Sequence, residues 1–322
     1  MQAVRAHEGG EVRFETVPDP TPAPGEVVVA LRRAALNRRD LRIRGAEYPF
    51  PRPLVPGSDG AGVRRDTGEE VVILPSVRWG PSEAAPGPDF EILGGPSDGT
   101  FAELIAIPEE NVFPRPARLS WEESAAFPLA GLTAYRALFV RGGLRAGETV
   151  LVLGAGSGVS TFAVQLAAQV GARVLVTTSS AAKLERAVAL GADGGVLYTE
   201  GDWAAGAREL TGGRGPDLVV DSVGATLPDS LRAVADGGRV VVLGATRGER
   251  VELSVRPFFY SQVSLLATTM GSPRDFSGLL GMLDAAAWRP VLDSTRPLAE
   301  IDAALDRLEG FAHFGKLVLE CS

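Results

Sequence analysis

LVLGAGSGVSTFAVQLA, residues 151–167, is the most informative part of the sequence, because an apolar strand passes through a glycine-rich turn directly into a helix. Glycine permits a tight turn and a close approach of the backbone to a ligand, and the free N–H groups and dipole at a helix start attract an anion. Val159 takes the place where the common G-x-G-x-x-G spacing has its third glycine, so the turn is a variant. The alternative is a tight turn without a ligand. The pattern predicts a nucleotide phosphate at Gly154, Gly156, Ser157, Gly158 and Val159.

Strand and helix patterns alternate along the middle of the chain. A helix over 120–139, with Ser120 and Glu123 as a capping pair, precedes helices at 158–171 and 181–191. Strands are predicted at 148–154, 172–178, 194–198, 216–224, 238–244 and 263–271. These runs are almost continuously apolar, as in a parallel sheet that helices cover on both faces. We therefore expect an α/β fold with a doubly wound parallel sheet, the Rossmann fold.

The two ends of the chain have a different pattern. Residues 1–118 are mostly β, with prolines and glycines between short apolar runs. The elements after residue 272 are too few to form a domain of their own, so we expect them to complete the first one. The prediction is a mostly β domain from 1–118 and 273–322, and a Rossmann domain from 119–272.

The composition of the chain excludes several classes of partner and a metal site. The chain has 322 residues and a net charge of −8, which argues against nucleic acid or an anionic membrane as a partner. It has no long apolar run, and its beginning, MQAVRAHEGG, has no signal-peptide core, so we expect a soluble cytoplasmic protein. One cysteine, Cys321, and two histidines, His7 and His313, are too few for a disulfide or a metal site.

The end of the second strand of the parallel sheet indicates which dinucleotide binds. An NAD site usually has an acidic residue there for the ribose 2′-hydroxyl, but VLVTTSSAAK (174–183) contains none. Ser179 and Ser180 offer hydroxyls, and Lys183 is one of only two lysines in the chain. Because a 2′-phosphate prefers a cation and small donors, we predict NADPH, with Ser179 and Lys183 as contacts. The alternatives are NADH, and a Lys183 that only faces solvent.

Several motifs together carry a resemblance to a known family. Besides the glycine turn they are AALNRRDLRIRGAEYPFPRPLVPGSDGAGV (34–63), EILGGPSDGTFAEL (91–104), AAFPLAGLTAYRAL (125–138), VVDSVG (219–224), TTMGS (268–272) and FGKLVL (314–319). Over nearly its whole length the chain resembles the medium-chain dehydrogenase/reductase superfamily, most of all its quinone oxidoreductase branch and related zinc-free alcohol-dehydrogenase-like proteins. The resemblance implies a GroES-like, mostly β catalytic domain beside the Rossmann domain, with the active site in the cleft between them.

The resemblance also bears on metal. Zinc-dependent members carry a cysteine in the segment that matches 34–40 and a histidine in the segment that matches 57–62, where this chain has Asn37 and the pair Ser58 and Asp59. The four-cysteine lobe that holds a structural zinc in the family is absent as well. We therefore predict a zinc-independent enzyme in which hydrogen-bond donors stabilise the charge that develops on a carbonyl oxygen.

The resemblance implies particular site residues. Asn37, Tyr48 and Thr133 match residues that line the nicotinamide and substrate pocket of the quinone-reductase branch; the alternatives are a turn role for Asn37 and simple packing for Tyr48. Asp40 is interpreted as a loop anchor rather than a proton donor. Lys316 has two alternative roles: it either reaches the cofactor or seals the junction between the domains. Residues expected along the cofactor are Tyr198, Ser222, Gly244 and Met270.

The features together predict an NADPH-dependent, zinc-independent oxidoreductase that transfers a hydride to a quinone or an α,β-unsaturated carbonyl. The alternatives are an alcohol or aldehyde dehydrogenase of the same superfamily and a non-catalytic NADPH-binding protein. The resemblance also implies a homodimer, and the apolar stretch 251–270 could serve as its edge.

Overall fold

The computed structural model describes all 322 residues of the chain. The strands are β1 Gln2–Ala6, β2 Val12–Thr16, β3 Glu26–Ala35, β4 Asp59–Arg64, β5 Glu70–Ile73, β6 Ser76–Val77, β7 Glu91–Ile92, β8 Leu104–Pro108, β9 Val112–Pro114, β10 Thr149–Val152, β11 Arg173–Thr178, β12 Gly194–Leu197, β13 Leu218–Asp221, β14 Arg239–Val242, β15 Ser264–Ala267, β16 Leu292–Pro297 and β17 Lys316–Glu320. The α-helices are α1 Arg38–Arg44, α2 Trp121–Ala126, α3 Pro128–Tyr135, α4 Gly158–Gln169, α5 Ala181–Ala189, α6 Trp203–Glu209, α7 Leu227–Ala233, α8 Val255–Tyr260, α9 Pro273–Ala285 and α10 Ile301–Glu309. Short 3₁₀ segments lie at Glu8–Gly10, Glu109–Asn111 and Leu298–Glu300, and a π-helical turn lies at Arg136–Arg141.

The chain divides into two compact units, a first one of Met1–Ala130 with Ser272–Ser322 and a second one of Gly131–Gly271. The second unit is built on a parallel sheet in the order β12-β11-β10-β13-β14-β15. Numbered along the chain, this is the 3-2-1-4-5-6 order of a Rossmann fold, so the predicted doubly wound sheet is confirmed. The chain reverses its direction of winding between β10 and β13, and ligands of such sheets bind beyond the carboxyl ends of the strands at that point.

The central strands of this sheet are apolar on both faces. Every residue of β10 and β13 is buried, and Leu151 of β10 pairs with Leu175 on one side and Val219 on the other. Such strands are stable only when helices cover both faces. Phe162 and Leu166 of α4 are fully buried, and α4 packs on β10 and β11.

The first unit contains a mostly antiparallel sheet, as expected for the GroES-like domain. Its order is β16-β17-β3-β4-β5-β9. The strand β8 pairs with the first half of the long strand β3, and β17 pairs with the end of β3. The C-terminal strand β17 pairs antiparallel with β3, and its Leu317 and Leu319 join Val29 and Leu31 in one hydrophobic core. The end of the chain therefore belongs to the first unit.

The boundary between the units lies later than predicted, after Ala130 rather than after residue 118. The reason is the packing of α2, which lies on β3 and β4 of the first unit. Ala126 is buried there against Ala35 and Val318. The return to the first unit begins at Ser272 rather than at residue 273.

The helix predicted over 120–139 is broken into shorter pieces. Ser120 and Glu123 do form the predicted capping box of α2, with Glu123 N donating to Ser120 Oγ at 3.2 Å. The helix ends at Ala126 because Pro128 has no N–H to continue the ladder and instead begins α3. None of the helices combines the length and the apolar character that crossing a membrane requires.

Candidate cofactor and catalytic sites

The glycine turn follows β10 and has the backbone that a phosphate-binding turn needs. Gly154 and Gly156 have φ values of +71° and +107°, conformations that side chains other than hydrogen disfavour. Gly154 N donates to Thr177 Oγ1 at 3.1 Å, which ties the turn to β11. Ser157 is the N-cap of α4, and its Oγ accepts from Ser160 N at 3.2 Å.

The start of α4 leaves donors for a ligand. Gly158 and Val159 occupy its first two positions, whose N–H groups have no partner within a helix. Their location is the switch point between β10 and β13, where this fold binds the pyrophosphate of a dinucleotide. The residues present therefore fit a dinucleotide cofactor. The assignment of individual contacts to Gly154, Gly156, Ser157, Gly158 and Val159 stays a prediction.

The carboxyl end of β11 carries the residues on which the prediction of NADPH depends. No acidic residue occurs between Thr177 and Leu184. Ser180 is the N-cap of α5, and Lys183 stands in the first turn of that helix, with its N–H directed at Ser180 Oγ (3.4 Å). A helix dipole disfavours a cation in its first turn, and a bound phosphate would offset that cost. Ser179 precedes the cap and is partly buried.

The remaining cofactor candidates all follow the carboxyl ends of parallel strands. Tyr198 comes directly after β12 and is 44% exposed, and Ser222 comes directly after β13. Gly244 approaches Ser222 so closely that an added Cβ would lie 2.8 Å from the Ser222 carbonyl oxygen. Met270, beyond β15, is buried and has a positive φ of +49°. The carboxyl ends of parallel strands share one edge of the sheet, which is consistent with the predicted roles of all four.

One residue of this edge was missed. Asp221 ends β13 and is fully buried. Its Oδ1 accepts from the N–H groups of Val223 (2.8 Å) and Gly224 (3.1 Å), and its Oδ2 accepts from Ser230 Oγ at 2.8 Å. Asp221 thus shapes the loop that carries Ser222. An aspartate at the end of a buried strand was the signal that could have found it.

In the first unit, Asn37, Asp59 and Lys316 form what we call the buried polar cluster. Lys316 Nζ donates to Asp59 Oδ2 at 2.8 Å, to Asn37 Oδ1 at 2.7 Å and to the Leu36 carbonyl at 2.7 Å. Asn37 Nδ2 donates to the same Asp59 Oδ2 at 2.9 Å, and Asp59 Oδ1 accepts from Leu129 N at 2.7 Å. All three side chains are at least nine-tenths buried.

The sheet of the first unit brings the cluster together. Lys316 begins β17, Asn37 follows the end of β3, and Asp59 begins β4. These three strands are neighbours in the sheet, with Ala35 paired to both Val318 and Asp59. Lys316 therefore meets Asp59 although 257 positions separate them in the sequence.

Asp40 anchors the loop, as interpreted from the sequence. Its Oδ2 accepts from Asn37 N at 2.7 Å, which caps the start of α1, while its Oδ1 has no hydrogen-bond partner. Burial raises the pKa of the Asp40 carboxyl to about 6, although the neighbouring Arg39 guanidinium opposes the shift. Asp40 is a buried carboxyl whose ionised form is destabilised.

Arg39 lies in a polar pocket without a carboxylate bonded to it. Its guanidinium donates to Ser58 Oγ at 2.8 Å and to the carbonyls of Leu93 (2.7 Å) and Gly95 (3.2 Å). Burial lowers the pKa of this guanidinium, and the nearby Asp40 opposes the shift. The hydrogen bonds of Arg39 thus connect the loop around residue 93 with the segment that contains Ser58.

The other two predicted catalytic residues are placed as follows. Tyr48 stacks on Phe50 with ring centroids 5.1 Å apart, and both rings pack on a small core that includes Ile43 and Leu54. Packing is therefore part of the role of Tyr48. Thr133 is buried in α3 and belongs to the second unit. The catalytic roles of Asn37, Tyr48 and Thr133 stay predictions.

The residues present do not fit a catalytic zinc ion. No group of three or more His, Cys, Asp or Glu side chains is arranged to hold a metal. Asn37 and Ser58 are already bonded to the cationic groups of Lys316 and Arg39, and these cations would repel a divalent metal. Burial also raises the pKa of the Cys321 thiol to about 12, so it does not supply the thiolate that zinc prefers.

Comparison with known proteins gives the family of the chain. Residues 158–285 match the family described as zinc-binding dehydrogenase, and residues 23–117 match the alcohol dehydrogenase GroES-like domain. A zinc-type alcohol dehydrogenase-like protein of Schizosaccharomyces pombe is 36% identical over 317 residues, which are 92% of this chain and 91% of that protein. The chain belongs to the medium-chain dehydrogenase/reductase superfamily.

Two further comparisons bear on the activity. Quinone oxidoreductase of Mus musculus is 28% identical over 335 residues, which cover 99% of this chain and 97% of that protein. A crystal structure of an NAD-dependent alcohol dehydrogenase superposes with a TM-score of 0.94 at 39% identity and covers 100% of both chains. The relatives thus differ in the acceptor and the cofactor that their names state, and the choice for this chain depends on its own residues.

Proposed function

We propose that the protein is an NADPH-dependent, zinc-independent reductase of quinones or α,β-unsaturated carbonyls. The observation that carries the proposal is the buried polar cluster. Of the two segments where zinc-dependent relatives bind their metal, one carries the amide of Asn37 here, and the other carries Asp59, which is bonded to the Lys316 ammonium. A reductase of this kind needs a hydrogen-bond donor for the substrate oxygen. Asn37 is the candidate donor.

A bound reduced nicotinamide supplies a hydride, and the acceptor takes up one proton in addition. As the hydride arrives, negative charge develops on the acceptor oxygen. A neutral amide such as that of Asn37 can donate a hydrogen bond to this oxygen without itself losing a proton. The buried Asp40, bonded through Oδ2 to Asn37 N, supports the loop rather than the proton transfer.

NADPH is the proposed cofactor because of the residues at the end of β11. The first turn of α5 carries Lys183 and no acid, a combination that favours a 2′-phosphate and does not suit the ribose 2′-hydroxyl of NADH. The 39% identical structure described as an NAD-dependent dehydrogenase makes NADH the necessary comparison. Fluorescence titration of both reduced cofactors tests the choice, and tighter binding of NADH would reject it.

A substrate panel tests the activity. Oxidation of NADPH is followed by absorbance with a set of quinones, a set of enones and a set of simple aldehydes. We expect turnover of a quinone or an enone and much weaker turnover of saturated aldehydes. Turnover of aldehydes alone would favour an alcohol dehydrogenase, and tight NADPH binding without any turnover would favour a non-catalytic binding protein.

Metal analysis tests the second candidate, a zinc-dependent alcohol dehydrogenase, which the name of the Schizosaccharomyces pombe relative favours. We expect less than about 0.1 zinc ion per chain after purification without chelators, because no third ligand completes a site. We also expect chelator treatment to leave the reductase activity unchanged. Stoichiometric zinc, lost together with activity on chelation, would establish the second candidate instead.

We also propose that a second copy of the chain is the partner, through β15. This strand ends the parallel sheet and has only β14 beside it, so its outer edge offers unpaired backbone groups. The adjoining α8 exposes Val255 (69%), Phe259 (53%) and Tyr260 (72%), and a twofold axis would cover both edges at once. Light scattering should show a dimer that Phe259→Glu with Tyr260→Glu converts to a monomer, and a monomeric wild type would refute the proposal.

A further inference from the structure

The buried polar cluster gives the amide of Asn37 one preferred orientation. Its Oδ1 accepts from the Lys316 ammonium at 2.7 Å, and its Nδ2 donates to the Asp59 carboxylate at 2.9 Å. If the amide were turned over, its NH₂ group would face the ammonium and its oxygen would face the carboxylate, so both contacts would become repulsive. The two opposite charges therefore decide which side of the amide is oxygen and which is nitrogen.

Lys316 itself has no donor left for a ligand. An ammonium has three N–H groups, and those of Lys316 are used by Asp59, Asn37 and the carbonyl of Leu36. Its side chain is 3% exposed. Any influence of Lys316 on a reaction must therefore pass through one of its three partners.

We propose that Lys316 is a positioning residue that sets Asn37 as a hydrogen-bond donor towards the oxygen of the substrate carbonyl; this rests on the proposed function. One Nδ2–H of Asn37 is used by Asp59, which leaves the second one for the substrate. The bond from the ammonium to Asn37 Oδ1 also polarises the amide and strengthens its remaining N–H as a donor. Asp59 accepts hydrogen bonds from both the ammonium and the amide, and a further bond from Leu129 N fixes its own position.

The composition of the chain makes the orientation of Asn37 directly measurable. Asn37 and Asn111 are its only asparagines, so protein labelled with side-chain ¹⁵N asparagine shows two NH₂ pairs by NMR. Asn111, whose Nδ2 donates to the carbonyls of Leu74 and Ser76 at 2.8 Å each, is an internal reference, and Asn37→Leu assigns the pairs. In Lys316→Met we expect the Asn37 pair to shift while the Asn111 pair stays in place. An unmoved Asn37 pair would overturn the proposal.

A double-mutant cycle on an accepted quinone or enone tests the catalytic consequence. We expect Asn37→Leu to lower kcat roughly 100-fold, as removal of an oxyanion donor does, and Lys316→Met to lower it about 10- to 100-fold. Because Lys316 acts only through Asn37, the double variant should be no slower than Asn37→Leu. KM for the quinone or enone and Kd for NADPH should each change less than about twofold. Effects of the two substitutions that multiply would show that Lys316 acts independently, against the proposal.

Two further variants separate positioning from general damage. Arg307→Met removes the ion pair to the buried Asp293 in the same unit (2.9 Å between Arg307 Nη2 and Asp293 Oδ1), and should leave kcat and the Asn37 pair unchanged. If Lys316→Met alone does not fold, Lys316→Gln, which removes the charge but keeps an N–H donor for Asp59, replaces it in both measurements. If the wild type reduces no acceptor in the panel, the proposed function fails, whereas the NMR measurement still decides whether Lys316 orients Asn37.

Discussion

The glycine turn and the buried polar cluster use hydrogen-bond donors in opposite ways. At the turn, Gly158 and Val159 lie where helix geometry leaves N–H groups without partners. In the cluster, the three N–H groups of Lys316 are all bonded to acceptors of the chain itself. The turn is open and needs a ligand to complete it, whereas the cluster is closed and complete without one.

The two regions contribute differently to the protein. An open set of donors gives affinity, because a bound anion supplies the missing acceptors. A closed set gives orientation, since two opposite charges hold Asn37 in one of its two amide positions. Substitutions in the cluster should therefore affect stability first, and substitutions at the turn should affect cofactor affinity first.

The strongest test of the closed region is Asp59→Leu. The substitution leaves the Lys316 ammonium buried without its counter-charge and leaves Leu129 N without an acceptor. We expect the free energy of unfolding, measured in urea, to fall by about 3–5 kcal/mol. Asp66→Leu is the control, because its ion pair with Arg64 lies at the surface of the same unit and should contribute less than about 1 kcal/mol. Equal losses in the two variants would mean that the cluster is not closed as described.

The matching test of the open region is Gly156→Val. A β-branched residue at a φ of +107° is strained by about 1–3 kcal/mol, and its side chain would stand where the phosphate approaches. We expect Kd for NADPH to rise more than about 100-fold, a larger effect on binding than on stability. Gly147→Val is the control, since Gly147 also has a positive φ, +82°, and has open space around it. Comparable losses of affinity in both variants would show that strain alone is responsible.

The two regions also differ in how far the sequence predicts them. The glycine turn and the six parallel strands are predictable, because their signals lie within contiguous stretches such as 151–167. The cluster is not, since Lys316 and Asn37 are 279 positions apart and meet only through the pairing of β17 with β3. The unit boundary was misplaced for a related reason, because the burial of Ala126 in the first unit depends on tertiary packing.

Lys183→Ala tests whether the predicted cofactor site also includes a charged side chain. Its place in the first turn of α5 is unfavourable for a cation and becomes favourable when the 2′-phosphate binds. We expect Kd for NADPH to rise about 10- to 100-fold, corresponding to roughly 1.5–3 kcal/mol for a charged hydrogen bond. The titration with NADH is the control, because this cofactor lacks the phosphate and its Kd should stay nearly constant. A similar loss for both cofactors would remove Lys183 from the phosphate site.

Asp40→Asn tests a buried carboxyl beside the cluster. One oxygen of this carboxyl, Oδ1, has no hydrogen-bond partner. Burial raises the Asp40 pKa to about 6 from an ordinary value of 3.8, so the folded protein binds the Asp40 proton more tightly than the unfolded chain does. Ionised Asp40 therefore costs stability, and the cost grows as the pH rises from about 4 to about 6 and is constant above about pH 7.

Asparagine is neutral at every pH and can still accept the bond from Asn37 N through its Oδ1. Relative to the wild type, Asp40→Asn should therefore gain about 2 kcal/mol in the free energy of unfolding between pH 4 and pH 7, because each unit by which the folded pKa exceeds the unfolded one corresponds to about 1.4 kcal/mol. Urea unfolding of both proteins at intervals across this range measures the gain directly. A difference between the proteins that does not change with pH would show that Asp40 is ionised as easily in the folded protein as in the unfolded chain, and that the loop around Asn37 is more open to water than the cluster beside it.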